Sequence, residues 1–134
     1  MIDASVAISW CLDDEEGEEA ERVIARLEKD PGVAPAIWPF EVANTVLSAL
    51  RRQRLKEADL PQVHALLASL PISLESTSAD RSLSNLLPLA REHGLTVYDA
   101  SYLELALRTG YPLATLDIDL RAAAMKIGVQ LVGD

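Results

Sequence analysis

Apolar residues in this chain fall into helical stripes separated by short continuous runs. The second half repeats one recipe three times: a stripe, a glycine, then an extended apolar run. The first copy has Leu83, Leu86, Leu87 and Ala90, then Gly94, then Leu95-Thr96-Val97. The second has Tyr102, Leu103, Ala106 and Leu107, then Gly110, then Pro112-Leu113-Ala114-Thr115. The third has Leu120, Ala123, Ala124 and Ile127, then Gly128, then Val129-Gln130-Leu131-Val132. Stripes spaced i, i+3, i+4, i+7 predict amphipathic helices, and each glycine stands where a helix end favours one.

The first half fits the same scheme. Met1-Ile2 reads as the end of a first strand, with a helix over residues 5–12. A second helix is expected over residues 18–27, through Ala20, Val23, Ile24 and Leu27. Pro31-Gly32 turns the chain into a second strand, Val33-Ala34-Pro35. Pro39 sits where a first helical turn tolerates proline, opening a helix to about residue 52. A further helix over about 57–70 presents Val63, Leu66, Leu67 and Leu70, and Ile72-Ser73-Leu74 makes a third strand. Helices alternating with short buried strands predict an α/β fold, a parallel sheet covered on both faces.

At 134 residues, 49% apolar and 25% charged, the chain is expected to form a single globular domain over 1–134. Cys11 has no partner within the chain. No apolar run approaches the roughly 20 residues of a membrane span, and the start lacks the basic residues of a signal peptide. A cytoplasmic protein with no membrane partner is the expectation.

A net charge of −9 argues against a broad nucleic-acid-binding surface. Its distribution weakens the objection. Residues 1–30 carry ten acids and three bases, leaving only −2 for the rest of the chain. The excess centres on Asp13-Asp14-Glu15-Glu16, which reads as a solvated loop and helix start. A basic knot follows later, at Arg51-Arg52-Gln53-Arg54. This pattern still admits a small site assisted by metal ions.

Acids at four places stand outside charge runs and exposed helix faces. They are Asp3 after the first strand, Glu41 early in the third helix, Asp99 before a helix, and Asp117 with Asp119 between a strand and a helix. Helix capping is the ordinary role for such aspartates, Asp99 and Asp119 being the best placed for it. Together they suggest more. Asp3, Asp99 and Asp117 all precede helices along the sheet edge where α/β folds bind ligands. Like charges gathered there cost energy unless a cation neutralises them. Oxygen ligands alone favour Mg²⁺, with Mn²⁺ able to substitute. Asn44, Thr45 and Ser48 share the helical stripe of Glu41, and its continuation reaches Arg51 and Arg52, candidates to meet phosphates leaving the site. Other chemistries lack support: His64 and His93 have no metal-ligand spacing, no glycine-rich loop exists, and Lys126 lies far from the acidic edge.

These residues resemble the PIN-domain family, and within it the VapC-type toxins of type II toxin–antitoxin systems. The resemblance is carried by Asp3-Ala4-Ser5 with Trp10, Glu41 with Asn44, Leu95-Thr96-Val97-Tyr98-Asp99-Ala100, and Leu113-Ala114-Thr115-Leu116-Asp117. It implies a PIN-like three-layer α/β/α sandwich with a parallel sheet in the order 3-2-1-4-5, in which Leu95-Thr96-Val97 is a loop. It implies catalytic Asp3, Glu41, Asp99 and Asp117. Asp3, Asp99 and Asp117 would bind metal, with Glu41 and Asp119 as further candidates and Ser5, Asn44 and Thr115 in support. The implied activity is a Mg²⁺-dependent endoribonuclease acting on a structured RNA, usually a tRNA or rRNA loop. The implied partners are a second copy, as a homodimer, and a cognate antitoxin whose C-terminal segment enters the acidic site. A PIN-domain RNA-processing nuclease outside toxin–antitoxin systems, or a non-catalytic module on the same fold, stays open.

Overall fold

The computed structural model describes residues 1–12 and 17–133, so the run Asp13-Asp14-Glu15-Glu16 lies outside the described residues. Residues 1–3 lead directly into α1 (Ala4–Ser9), followed by α2 (Glu18–Leu27), β1 (Gly32–Pro35) and α3 (Trp38–Arg51). A short 3₁₀ turn (Glu57–Asp59) precedes α4 (Leu60–Ser69) and β2 (Ile72–Glu75). Then come α5 (Ala79–Arg81), α6 (Leu87–His93), α7 (Val97–Thr109) and α8 (Ile118–Lys126).

β1 and β2 pair in parallel, Gly32 opposite Ile72 and Pro35 opposite Glu75. Parallel alignment continues beyond them through single contacts. The Ile2 amide donates to Val33 O at 3.1 Å, Ala114 N to Met1 O at 2.9 Å, and Asp3 N to Ala114 O at 3.0 Å. Leu113 in turn bridges Leu131. The expected strands at 1–2, 112–115 and 129–132 are thus reduced to isolated bridges. Pro112 has no amide to donate, and after Ala114 the chain leaves the ladder, the Thr115 hydroxyl turning to Asp3.

The predicted helices appear with few changes. α1 is shorter than expected: Trp10 ends it, and the Trp10 indole N–H donates to Ala20 O at 2.8 Å, tying α1 to α2. On α2 the expected stripe is the buried face, with Ala20, Val23 and Leu27 buried. Pro39, Pro61 and Pro88 each stand in the first turn of a helix, where their missing amide costs nothing. Pro88 also accounts for the one irregular stretch, a π turn over Ser82–Leu86 between α5 and α6. Without its N–H the regular i→i−4 ladder cannot pass smoothly through that stretch.

The expectation of an extended run at Leu95-Thr96-Val97 is corrected to a loop and helix start. Gly94 caps α6 in the left-handed region, Leu95 N returns to Ala90 O at 3.0 Å, and Thr96 caps α7. α7 is the central helix, with Ala100, Ser101, Tyr102, Leu103, Leu105 and Ala106 all buried.

α3 ends in a Schellman turn built without glycine. Arg54 N donates to Ala49 O and Gln53 N to Leu50 O, with Gln53 itself at φ 58°. That turn swings Arg54 back toward α1. The turn after α7 is relaxed by comparison, Gly110 holding φ 71° with open space around its Cα. Gly110→Ala meets no atoms, so its cost is backbone strain alone, about 1 kcal/mol. A melting-temperature loss on the order of 3 °C is expected in a calorimetric scan; an unchanged melting temperature would refute the strain.

Candidate active site

Asp3 occupies the cap position of α1, yet its side chain makes no capping bond there. The residue is 7% exposed, and its carboxylate instead gathers hydroxyls. Ser5 Oγ donates to Asp3 Oδ2 at 2.6 Å and Thr115 Oγ1 to the same oxygen at 2.7 Å. Both hydroxyls are themselves fixed by backbone amides. Leu116 N donates to Ser5 Oγ at 2.9 Å, and Asp117 N to Thr115 Oγ1 at 3.1 Å. Two segments more than a hundred residues apart in sequence are thereby locked around one carboxylate oxygen. Ser5 and Thr115 both bond Asp3, whereas Asn44 is exposed on α3.

Glu41, in the first turn of α3, is half-buried. Its Oε2 accepts a short hydrogen bond from the hydroxyl of Tyr102 on α7. Tyr102 is fully buried, and a phenol buried without an acceptor would cost about 1–3 kcal/mol. Thr45 Oγ1 donates back to Glu41 O at 2.8 Å, steadying the same turn. Asp99 is not the cap of α7; Thr96 is, accepting from Asp99 N at 3.1 Å and donating to Asp99 Oδ2 at 2.6 Å. Asp117 rather than Asp119 caps α8, its Oδ1 accepting from Leu120 N at 2.8 Å. Asp119 is exposed in the first turn.

The electrostatics join these acids into one group. Burial pushes the Asp3 carboxyl above its ordinary range, against the pull of the two hydroxyls, and the charge of Asp117 adds to the rise. Burial also raises Glu41, and the charges of Asp3 and Asp99 act on it in the same direction. Burial and these same acids hold the Tyr102 hydroxyl protonated. Among the described residues, no three His, Cys, Asp or Glu side chains are drawn in tightly enough to enclose a metal ion. Bare carboxylates repel, and here Asp99 and Asp117 are turned to partners at their own helix ends.

Beside Asp3 lies a groove of about 190 Å³ lined by Ser5, Thr45, Ser48, Arg52, Arg54 and Leu116, among others. Arg52 and Arg54 line the groove; Arg51 does not, and none of the acids does. The Schellman turn at Gln53 brings Arg54 to the groove, since sequence spacing assumes a helix that continues. Tyr102 is the other residue that sequence reading placed elsewhere, in an apolar core stripe. Its position three residues after Asp99, on one helix face, is the signal that was available.

The arrangement defines a helix-rich α/β domain with acids gathered where parallel segments enter helices, and comparison with known proteins makes the assignment specific. The chain belongs to the PIN-domain family: the model of the PIN domain matches residues 1–126. It is 32% identical over 120 residues to Ribonuclease VapC3 of Pyrobaculum aerophilum, covering 90% of each chain. It also resembles the crystal structure of PAE2754 from Pyrobaculum aerophilum, with a TM-score of 0.66 and 25% identity over 91% of this chain and 83% of that one.

The raised carboxyls make a pH prediction. Asp3 and Glu41 ionise in the unfolded chain near 3.8 and 4.5, and higher in the folded protein. Between those values the folded state holds more protons, so stability falls as pH rises. In metal-free protein, Asp3→Asn should remove the Asp3 part of this decline and melt at least as high as the parent at pH 7. Thermal melts across pH 4–8 test it; a variant markedly less stable at every pH would show Asp3 to be structural.

Proposed function

We propose that this PIN domain is a Mg²⁺-dependent endoribonuclease, the toxin of a type II toxin–antitoxin pair, cutting a structured RNA such as a tRNA or rRNA loop. The observation that carries the reading is the gathering of acids around Asp3 and Glu41: burial is the main cause that raises both, and Asp117, Asp3 and Asp99 are close enough for their charges to add to it. A protein keeps such a cluster at a cost, and a divalent cation is the simplest agent that relieves it. The similarity to a protein named Ribonuclease VapC3 supports the same activity. We read residues 1–134 as one domain, its five parallel segments forming a sheet in the order 3-2-1-4-5 within a three-layer α/β/α sandwich. The chain of backbone bonds from β2 through β1, residue 2 and Leu113 to Leu131 supports that order. Among the described residues no helix is long and apolar enough to cross a membrane, which accords with action on RNA in the cytoplasm.

Asp3, Asp99 and Asp117 would hold the ion, with Glu41 and Asp119 as further candidates. Their all-oxygen donor set suits Mg²⁺, and Mn²⁺ would substitute. The ion, when bound, supplies a more acidic water and charge stabilisation at the leaving oxygen. Asp3 is held by Ser5 and Thr115 on one oxygen, leaving the other for the site. Glu41, raised by burial and fixed through one oxygen by Tyr102, would accept a proton from an attacking water. Arg52, in the groove beside Ser5, would meet a phosphate of the bound strand, and Arg51 one further out.

Partners follow from the surface. Phe40, Leu83 and Tyr98 are 72%, 70% and 58% exposed around the helices that bear the acids. We assign this apolar surface to a second copy in a homodimer and to the cognate antitoxin, whose basic C-terminal segment would neutralise the same acids.

With water as the nucleophile, cleavage leaves a 5′-phosphate and a 3′-hydroxyl, and a 2′-deoxy nucleotide at the cut is tolerated. EDTA is expected to stop the reaction and Mg²⁺ or Mn²⁺ to restore it. End-group analysis finding a 2′,3′-cyclic phosphate would overturn the mechanism. For RNA binding, Arg52→Ala should lower the slope of log affinity against log salt by about one, and Arg51→Ala by less. Equal slopes in parent and Arg52→Ala would remove that arginine from the RNA path.

A further inference from the structure

Tyr102 is the only group bridging the two helices that present Glu41 and Asp99 through a side-chain hydrogen bond among the described residues. It rises from α7 three residues after Asp99, is fully buried, and donates to Glu41 Oε2 across to α3. The Glu41 carboxylate has two oxygens and a flexible stem, so without a fixed donor it would sample several rotamers. Tyr102 removes that freedom. Being rigid and packed on all sides, it holds one oxygen at one place and leaves Oε1 as the oxygen that can take a proton.

The choice of a phenol is informative. A lysine or arginine at this position would orient Glu41 equally well, but its charge would neutralise the acids and compete with a bound cation. A tyrosine hydroxyl donates a hydrogen bond while adding no charge. The same device recurs around the site: Ser5 and Thr115 hold Asp3, and Thr96 holds Asp99, each through a neutral hydroxyl on one carboxylate oxygen. Tyr102 differs in coming from a distant helix, 61 residues away in sequence, so it sets the spacing of Glu41 from Asp99 as well as its rotamer.

We infer that Tyr102 is the positioning residue for Glu41, fixing Oε2 so that Oε1 serves the reaction; the inference rests on the nuclease reading above. Tyr102→Phe deletes one oxygen and keeps the ring in place. Its kcat for RNA cleavage should fall roughly 10-fold or more, the usual scale for a partner that orients a site group, with KM and calorimetric Mn²⁺ affinity within about two-fold of the parent. In a Glu41→Ala background, Tyr102→Phe should lower kcat no further, and the two substitutions should be non-additive in melting temperature as well. Ser101→Ala is the control, since the Ser101 hydroxyl bonds only Tyr98 O on its own helix; its kcat should match the parent. All rates are measured below the melting temperature of every variant.

The outcomes separate cleanly. Additive melting temperatures would show that Tyr102 and Glu41 do not interact and would overturn the inference. Coupled melting with unchanged kcat in Tyr102→Phe would overturn the positioning role while leaving the nuclease reading intact. A parent that cuts no RNA with Mg²⁺ or Mn²⁺ would overturn the nuclease reading and the positioning role with it.

Discussion

The buried carboxylate of Asp3 sits where residues 1–3 run out of the sheet into α1, and the hydroxyls of Ser5 and Thr115 are what allow it to stay there. Moving a carboxylate out of water is expensive unless hydrogen bonds replace the lost solvent. Here both donors act on one oxygen, and both are aimed by backbone amides of residues 116 and 117. The rest of the site depends on this arrangement. It sets the position of α1 against the 113–117 segment, and so the distance between Asp3 and Asp117. It also fixes the direction from which Glu41 and Asp99 must approach.

The site is thus a set of acids held by neutral donors. Helix ends do part of the holding: Thr96 and Asp99 share the first turn of α7, and Asp117 closes the first turn of α8. These positions are also favourable to anionic groups through the helix dipole. Capping and chemistry are therefore not rival explanations for these residues. The same turn that needs a hydrogen-bond acceptor places that acceptor beside the other acids.

Much of this was legible in the sequence. Isolated acids just after short apolar runs marked the edge of a parallel sheet, and Asp3, Glu41, Asp99 and Asp117 do share one electrostatic neighbourhood. Helix spans were readable because their stripes are regular, and α2 lies where its spacing places it. The short strands were harder. Periodicity cannot distinguish a paired strand from one residue touching a neighbour, so 112–115 and 129–132 read longer than the bridges at Leu113, Ala114 and Leu131. Tyr102 was obscured because a tyrosine within an apolar stripe looks like core, and it is core except for one oxygen. Arg54 was obscured because the left-handed residue that redirects it is a glutamine, where sequence reading looks for glycine or asparagine.

The separation of 112 residues between Asp3 and Thr115 has a consequence for how the molecule comes into being. Synthesis delivers Asp3 first and, 112 residues later, Thr115, so until Thr115 is added the acid has only the Ser5 half of its clamp. Contacts of such long range also form slowly, after local helices are in place. The acid and its clamp therefore come together only when two distant segments dock, a step that local helix formation cannot complete by itself.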